Sequence, residues 1–185
     1  MPSFELEAER GWLKGVRRVV SPNCDDRPVD TRISLLVIHG ISLPPGQYGG
    51  PHIDQLFTNT LNPDEHPYFR EIQHLRVSSH LLINRRGMVT QYVPFHKRAW
   101  HAGESEFGRR RACNDFSIGI ELEGCDEQPY EQVQYQALAA VIKVLRDSWR
   151  DIKRDCIVGH CDIAPGRKTD PGRCFDWEYF FNLLV

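Results

Sequence analysis

The sequence predicts a single α/β domain, residues 1–185, with a mixed central β-sheet flanked by helices. Short apolar runs of strand length alternate with helical patterns, one pair of runs is joined by a turn, and one helix-period stripe is long enough to cover a sheet. A length of 185 residues suits one domain with a substantial core, and 41% hydrophobic with 26% charged residues is ordinary for a globular chain.

The elements follow in chain order. "ISLLVIH" (33–39) is too continuously apolar for a surface strand and reads as a buried one ending at His39. "GISLPPGQYGGPHIDQLF" opens as a loop punctuated by Pro44, Pro45, Gly46, Gly49 and Gly50. It closes as a short helix with Ile53, Leu56 and Phe57 on one face. "HLLINRRGMVTQYV" (80–93) reads as two strands joined through Arg85, Arg86 and Gly87. In "FSIGIELEG" (116–124), Phe116, Ile118, Ile120 and Leu122 share one face of a strand, and Ser117, Gly119, Glu121 and Glu123 share the other. Over 131–150, the spacing of Leu138, Val141, Ile142, Leu145 and Trp149 makes one buried helical stripe. Cys156-Ile157-Val158 is a short buried strand ending at His160, and Asp176 is a candidate cap for a C-terminal helix packing Trp177, Phe180, Phe181 and Leu184.

The formal net charge of −2 makes no electrostatic case for a nucleic-acid partner, and the clusters Arg85-Arg86 and Arg109-Arg110-Arg111 read as solvated loops. The N-terminal "MPSFELEAERGWLKGVRRVV" lacks the apolar core of a signal peptide, and no run is of membrane length. A cytoplasmic protein without a membrane partner is expected. The six cysteines (24, 113, 125, 156, 161 and 174) form no CxxC, so reduced thiols are expected with them.

His39 and His160 each end a buried strand, where open α/β sheets bind ligands. A catalytic zinc takes three protein ligands and keeps the fourth place open. Two histidines and a carboxylate complete such a set. Asp162 is only two residues from His160, which makes closure over one metal awkward, whereas Asp170 lies ten residues on, after a Pro-Gly turn. Asp170 is therefore the expected third ligand, for one zinc per chain, with Asp162 holding the loop by hydrogen bonds. Cys161 and Cys174 rank below it as thiolate alternatives. Lys168, two residues before Asp170, reads either as an ordinary exposed loop lysine or as an ammonium that stabilises an oxyanion beside the metal. A general base is expected from Glu121 or Glu123, which alternation does not separate. His52, His66, His74 and His96 read as surface residues.

"VIHG" with "ISLPPG", "VSSHLLINRRG", "RAWHAG", "CNDFSIGIELEG" and "GHCDIAPGRKTDPG", in that order from about Leu35 to Trp177, resemble the zinc-dependent N-acetylmuramoyl-L-alanine amidases. The match is strongest to the branch acting on 1,6-anhydro-muramyl peptides. The resemblance implies the fold shared by phage lysozyme-type amidases and peptidoglycan recognition proteins. It implies zinc ligands at His39, His160 and Asp170, a catalytic glutamate at Glu121 and a catalytic lysine at Lys168. It also implies a small muropeptide substrate and a role in cell-wall recycling. Two positions depart from the family pattern: Gly40, where Asn is common, and Ala112, where Arg is common. A non-catalytic muropeptide sensor on the same scaffold is the alternative, disfavoured because all five positions are filled.

Overall fold

A computed structural model describes residues 2–185. Six strands form the central sheet: β1 (Arg17–Arg18), β2 (Leu35–Ile41), β3 (Leu81–Ile83), β4 (Val89–Gln91), β5 (Ser117–Glu123) and β6 (Ile157–Gly159). Their order is β6-β2-β5-β3-β4-β1. β6, β2, β5 and β3 run parallel, β3 and β4 form an antiparallel hairpin, and β1 lies parallel to β4. The sheet is mixed, as the alternation of strand and helix patterns implies.

Five helices surround it: α1 (His52–Phe57), α2 (Pro67–Ile72), α3 (Gln132–Ser148), α4 (His160–Ile163) and α5 (Trp177–Asn182). α3 starts in a capping box, with the Glu131 amide donating to Gln134 Oε1 at 3.0 Å. Its stripe of Leu138, Val141, Ile142 and Leu145 is fully buried against Leu36, Ile38, Ile118, Ile120 and Leu122 of the sheet. Each such side chain contributes about 1.5–3 kcal/mol. α5 packs on the same core and is capped by Asp176, whose Oδ1 accepts from the Tyr179 amide at 2.8 Å. α1 buries the expected Ile53, Leu56 and Phe57, with Phe69 and Ile72 of α2, against Leu82 and Tyr92.

Boundaries differ from the sequence reading in three places. The first strand runs from 35 to 41 because it pairs residue for residue with β5, Leu35 opposite Ser117 through Ile41 opposite Glu123. His39 therefore lies within the strand, two residues before its end. His160 opens α4 instead of ending a strand, since Asp162 Oδ2 accepts from the Gly159 amide at 2.7 Å and turns the chain there. α2, six residues long, is absent from the periodicity. Its signal is local: Pro67 at the first helical position and His66 Nδ1 accepting from the Tyr68 amide at 3.1 Å.

All six cysteines are free. Thiol titration under denaturing, non-reducing conditions is expected to count six per chain, and a lower count would reveal disulfides and overturn the expected reduced state. No described helix is long and apolar enough to cross a membrane.

Candidate metal centre and catalytic cleft

One face of β2 and β5 packs under α3; the other carries the polar residues. His39 of β2 and Glu121 of β5 are register partners, so their side chains leave the sheet together. His160 enters from the first turn of α4, just past β6 on the far side of β2. The loop after α4 then swings back. It is held by the Cys161 amide donating to Asp170 O at 3.0 Å and by the Tyr130 hydroxyl donating to Pro171 O at 2.9 Å.

Three donor atoms converge as a result. His39 Nδ1 lies 3.0 Å from His160 Nδ1, and Asp170 Oδ2 lies 3.2 Å from the first and 3.1 Å from the second. In a tetrahedral zinc site with ligand distances of about 2.0–2.2 Å, neighbouring donors stand about 3.3 Å or slightly more apart. The triangle fits that ion with little adjustment. Burial lowers the His39 pKa to about 4, so the ring is neutral and has a lone pair to offer. Burial acts to raise the Asp170 pKa, but the two imidazoles beside it outweigh that and hold the carboxyl well below its usual range. Neither Asp162, Cys161 nor Cys174 joins the cluster. Asp162 is occupied with the Gly159 amide, the loop-holding role expected of it.

The two glutamates of β5 have different surroundings. Glu123 Oε1 accepts from the Gly49 amide at 2.6 Å and its Oε2 from the Arg85 amide at 3.0 Å, so it straps two loops to the sheet. Glu121 is buried with no hydrogen-bond partner for Oε2 among the described residues. Burial first, and the Asp170 charge second, raise its carboxyl well above the usual range, while Lys168 opposes them. Lys168 is exposed on the rim of the same cleft. The cleft encloses about 680 Å³, polar at the His39–Glu121 end and apolar at the other, where Leu43, Leu56, Phe57, Tyr68, Ile72 and Val77 line it.

The two departures from the family pattern have different structural settings. A Cβ on Gly40 would stand 2.3 Å from the Tyr130 hydroxyl, so that hydroxyl occupies the space of the absent side chain. Ala112 takes a left-handed conformation (φ 58°) and lines a separate cavity with Gly103, Glu104 and Arg167. His52, His66, His74 and His96 are half-buried or exposed, as expected. The supports at Tyr130 and His101 were not legible beforehand. His101 Nδ1 contacts His39 Nε2 at 2.9 Å, across 62 residues of chain.

The family model described as N-acetylmuramoyl-L-alanine amidase (Amidase_2) matches residues 29–173. The chain belongs to that family. Over 176 residues the amidase is 61% identical to the 1,6-anhydro-N-acetylmuramyl-L-alanine amidase AmpD of Escherichia coli, covering 95% of this chain and 96% of AmpD. It superimposes on the crystal structure of a selenomethionine AmpD derivative with a TM-score of 0.94 and 57% identity, covering 98% and 99% of the two chains. The solved complex of the amidase AmiD from E. coli with the substrate anhydro-N-acetylmuramic acid-L-Ala-D-γ-Glu-L-Lys is more distant. Its TM-score is 0.62 at 30% identity, with 86% of this chain and 61% of AmiD covered. The amidase is thus AmpD-like in sequence along nearly its whole length and in fold.

Proposed function

We propose that this amidase hydrolyses the amide between the lactyl group of 1,6-anhydro-N-acetylmuramic acid and L-alanine, as a single-domain cytoplasmic enzyme of cell-wall recycling that uses one zinc ion. The observation that carries the reading is the unpartnered, buried oxygen of Glu121 beside the donor triangle, in a chain so close to AmpD. His39, His160 and Asp170 would hold the metal. When bound, zinc supplies Lewis acidity at this end of the cleft, acidifying water and polarising a carbonyl oxygen.

The chain's own residues carry the remaining steps. Glu121 takes the proton from the attacking water and passes it to the departing L-alanine nitrogen as the C–N bond breaks. The Lys168 ammonium stabilises the negative charge that develops on the carbonyl oxygen. The apolar half of the cleft, lined by Leu43, Leu56, Phe57 and Tyr68, would offer the sugar an apolar surface to pack on. The products are the muramic acid carboxylate and a free peptide.

Purified protein incubated with anhydro-muramyl and reducing muramyl peptides, with and without chelator, tests the reading by mass spectrometry. The expected result is chelator-sensitive release of peptide with a higher kcat/KM on the bicyclic sugar. Misplacing the amide by about 1 Å can cost ~10²-fold, which is where a poorer sugar fit enters. Equal rates on both sugars, or faster cleavage of intact cell wall, would make this a general wall amidase.

A further inference from the structure

Both donor imidazoles point Nδ1 at the triangle, and a neutral ring that offers Nδ1 as a lone pair carries its proton on Nε2. Each Nε2–H then needs an acceptor that does not compete for the wrong tautomer. For His160 the acceptor is Ala102 O at 3.1 Å, a carbonyl that cannot donate. For His39 it is His101 Nδ1 at 2.9 Å, a group that accepts in one tautomer and donates in the other.

Two residues of β5 bear on that choice. Ser117 Oγ lies 3.0 Å from His101 Nε2; with Oγ accepting the hydrogen bond from Nε2–H, His101 Nδ1 is left as the acceptor for His39. Gly119 makes the room: a Cβ there would stand 2.4 Å from His101 Cγ. The backbone of the same dipeptide is fixed by Asn114, whose Oδ1 accepts from the amides of His101 (3.1 Å) and Ala102 (2.8 Å). Arg167 Nη2 also donates to Ala102 O at 2.6 Å. One dipeptide, clamped on three sides, therefore faces the outer nitrogen of both imidazoles.

We propose that His101 is a positioning residue that, with Ser117 and the space left at Gly119, sets the His39 tautomer and so the affinity of the donor triangle for zinc. The proposal rests on the metal-holding role given above to His39, His160 and Asp170. His101 also borders the cleft, but the role assigned to it acts through His39. Outer partners of this kind typically change metal affinity by about 10- to 100-fold.

The test measures the zinc dissociation constant by chelator competition, with the thermal midpoint of the metal-free protein beside it. His101→Leu is expected to weaken zinc binding by about 10- to 100-fold. His101→Asn, whose side-chain oxygen can stand where Nδ1 stands, is expected to recover most of that loss. Equal zinc affinity in parent and His101→Leu protein overturns the proposal, as does an Asn variant no better than Leu at the same thermal midpoint. Nitrogen NMR on the zinc-loaded parent needs no variant: the expected pattern is a proton on Nε2 of both His39 and His101, and a proton on His101 Nδ1 overturns it. Retention of zinc by His160→Ala would instead remove the donor-set assignment, so the two failures are distinguishable.

Discussion

Glu121→Gln is expected to lower kcat by about 10²- to 10⁴-fold, the scale of a lost general acid–base group. Zinc content and substrate affinity should stay close to those of the parent. The amide is isosteric with the carboxyl and removes only the ability to take and return a proton. No described hydrogen bond to Oε2 is broken by the change, so the fold has little to lose. Glu123→Gln is the matching control. It weakens the acceptors of the Gly49 and Arg85 amides, at about 1–3 kcal/mol of stability if one amide is left buried and unpaired, and leaves the proton transfer in place. Should Glu123→Gln abolish turnover and Glu121→Gln spare it, the roles of the pair are reversed.

His160→Ala is expected to remove the metal and the activity together. It takes away one corner of a triangle whose sides are 3.0, 3.1 and 3.2 Å, and a two-donor remnant does not hold a catalytic zinc. Metal analysis should fall from about one zinc per chain to background, and kcat/KM by about 10³-fold or more, since Lewis-acid stabilisation is worth several kcal/mol. A circular dichroism spectrum like that of the parent would separate this loss from unfolding. Full activity in metal-free protein would refute the zinc mechanism.

Periodic features were the legible part of the fold. The α3 stripe and the alternation in β5 are set by which residues meet the core, and the structure keeps both. Short elements were not: α2 is too brief to show a period, and the end of β2 depends on its pairing with a strand some 80 residues away. The three donors were readable as candidates from two histidines near the ends of apolar runs and a loop carboxylate, although His39 proves to lie inside β2 and His160 to open α4. Alternation could not rank Glu121 over Glu123, because it reports a face and not a partner. The partners of Glu123 come from loops at Gly49 and Arg85, and that of His39 from a loop at His101. Contacts so distant in sequence leave no periodic trace.

β6 lies at the edge of the sheet, three residues long and paired on one side only, to Leu36–Ile38 of β2. His160 follows it directly and Asp170 hangs on the loop beyond, while His39 belongs to the sheet's interior. Local opening of this border would carry two donors away from the third. Adhesion of the C-terminal segment and loading of the site are thus one coupled equilibrium. A free ion at about a hundred times its dissociation constant adds roughly 2.7 kcal/mol to the closed form. With zinc as the proposed ion, metal loading is expected to raise resistance to proteolysis as well as to enable turnover.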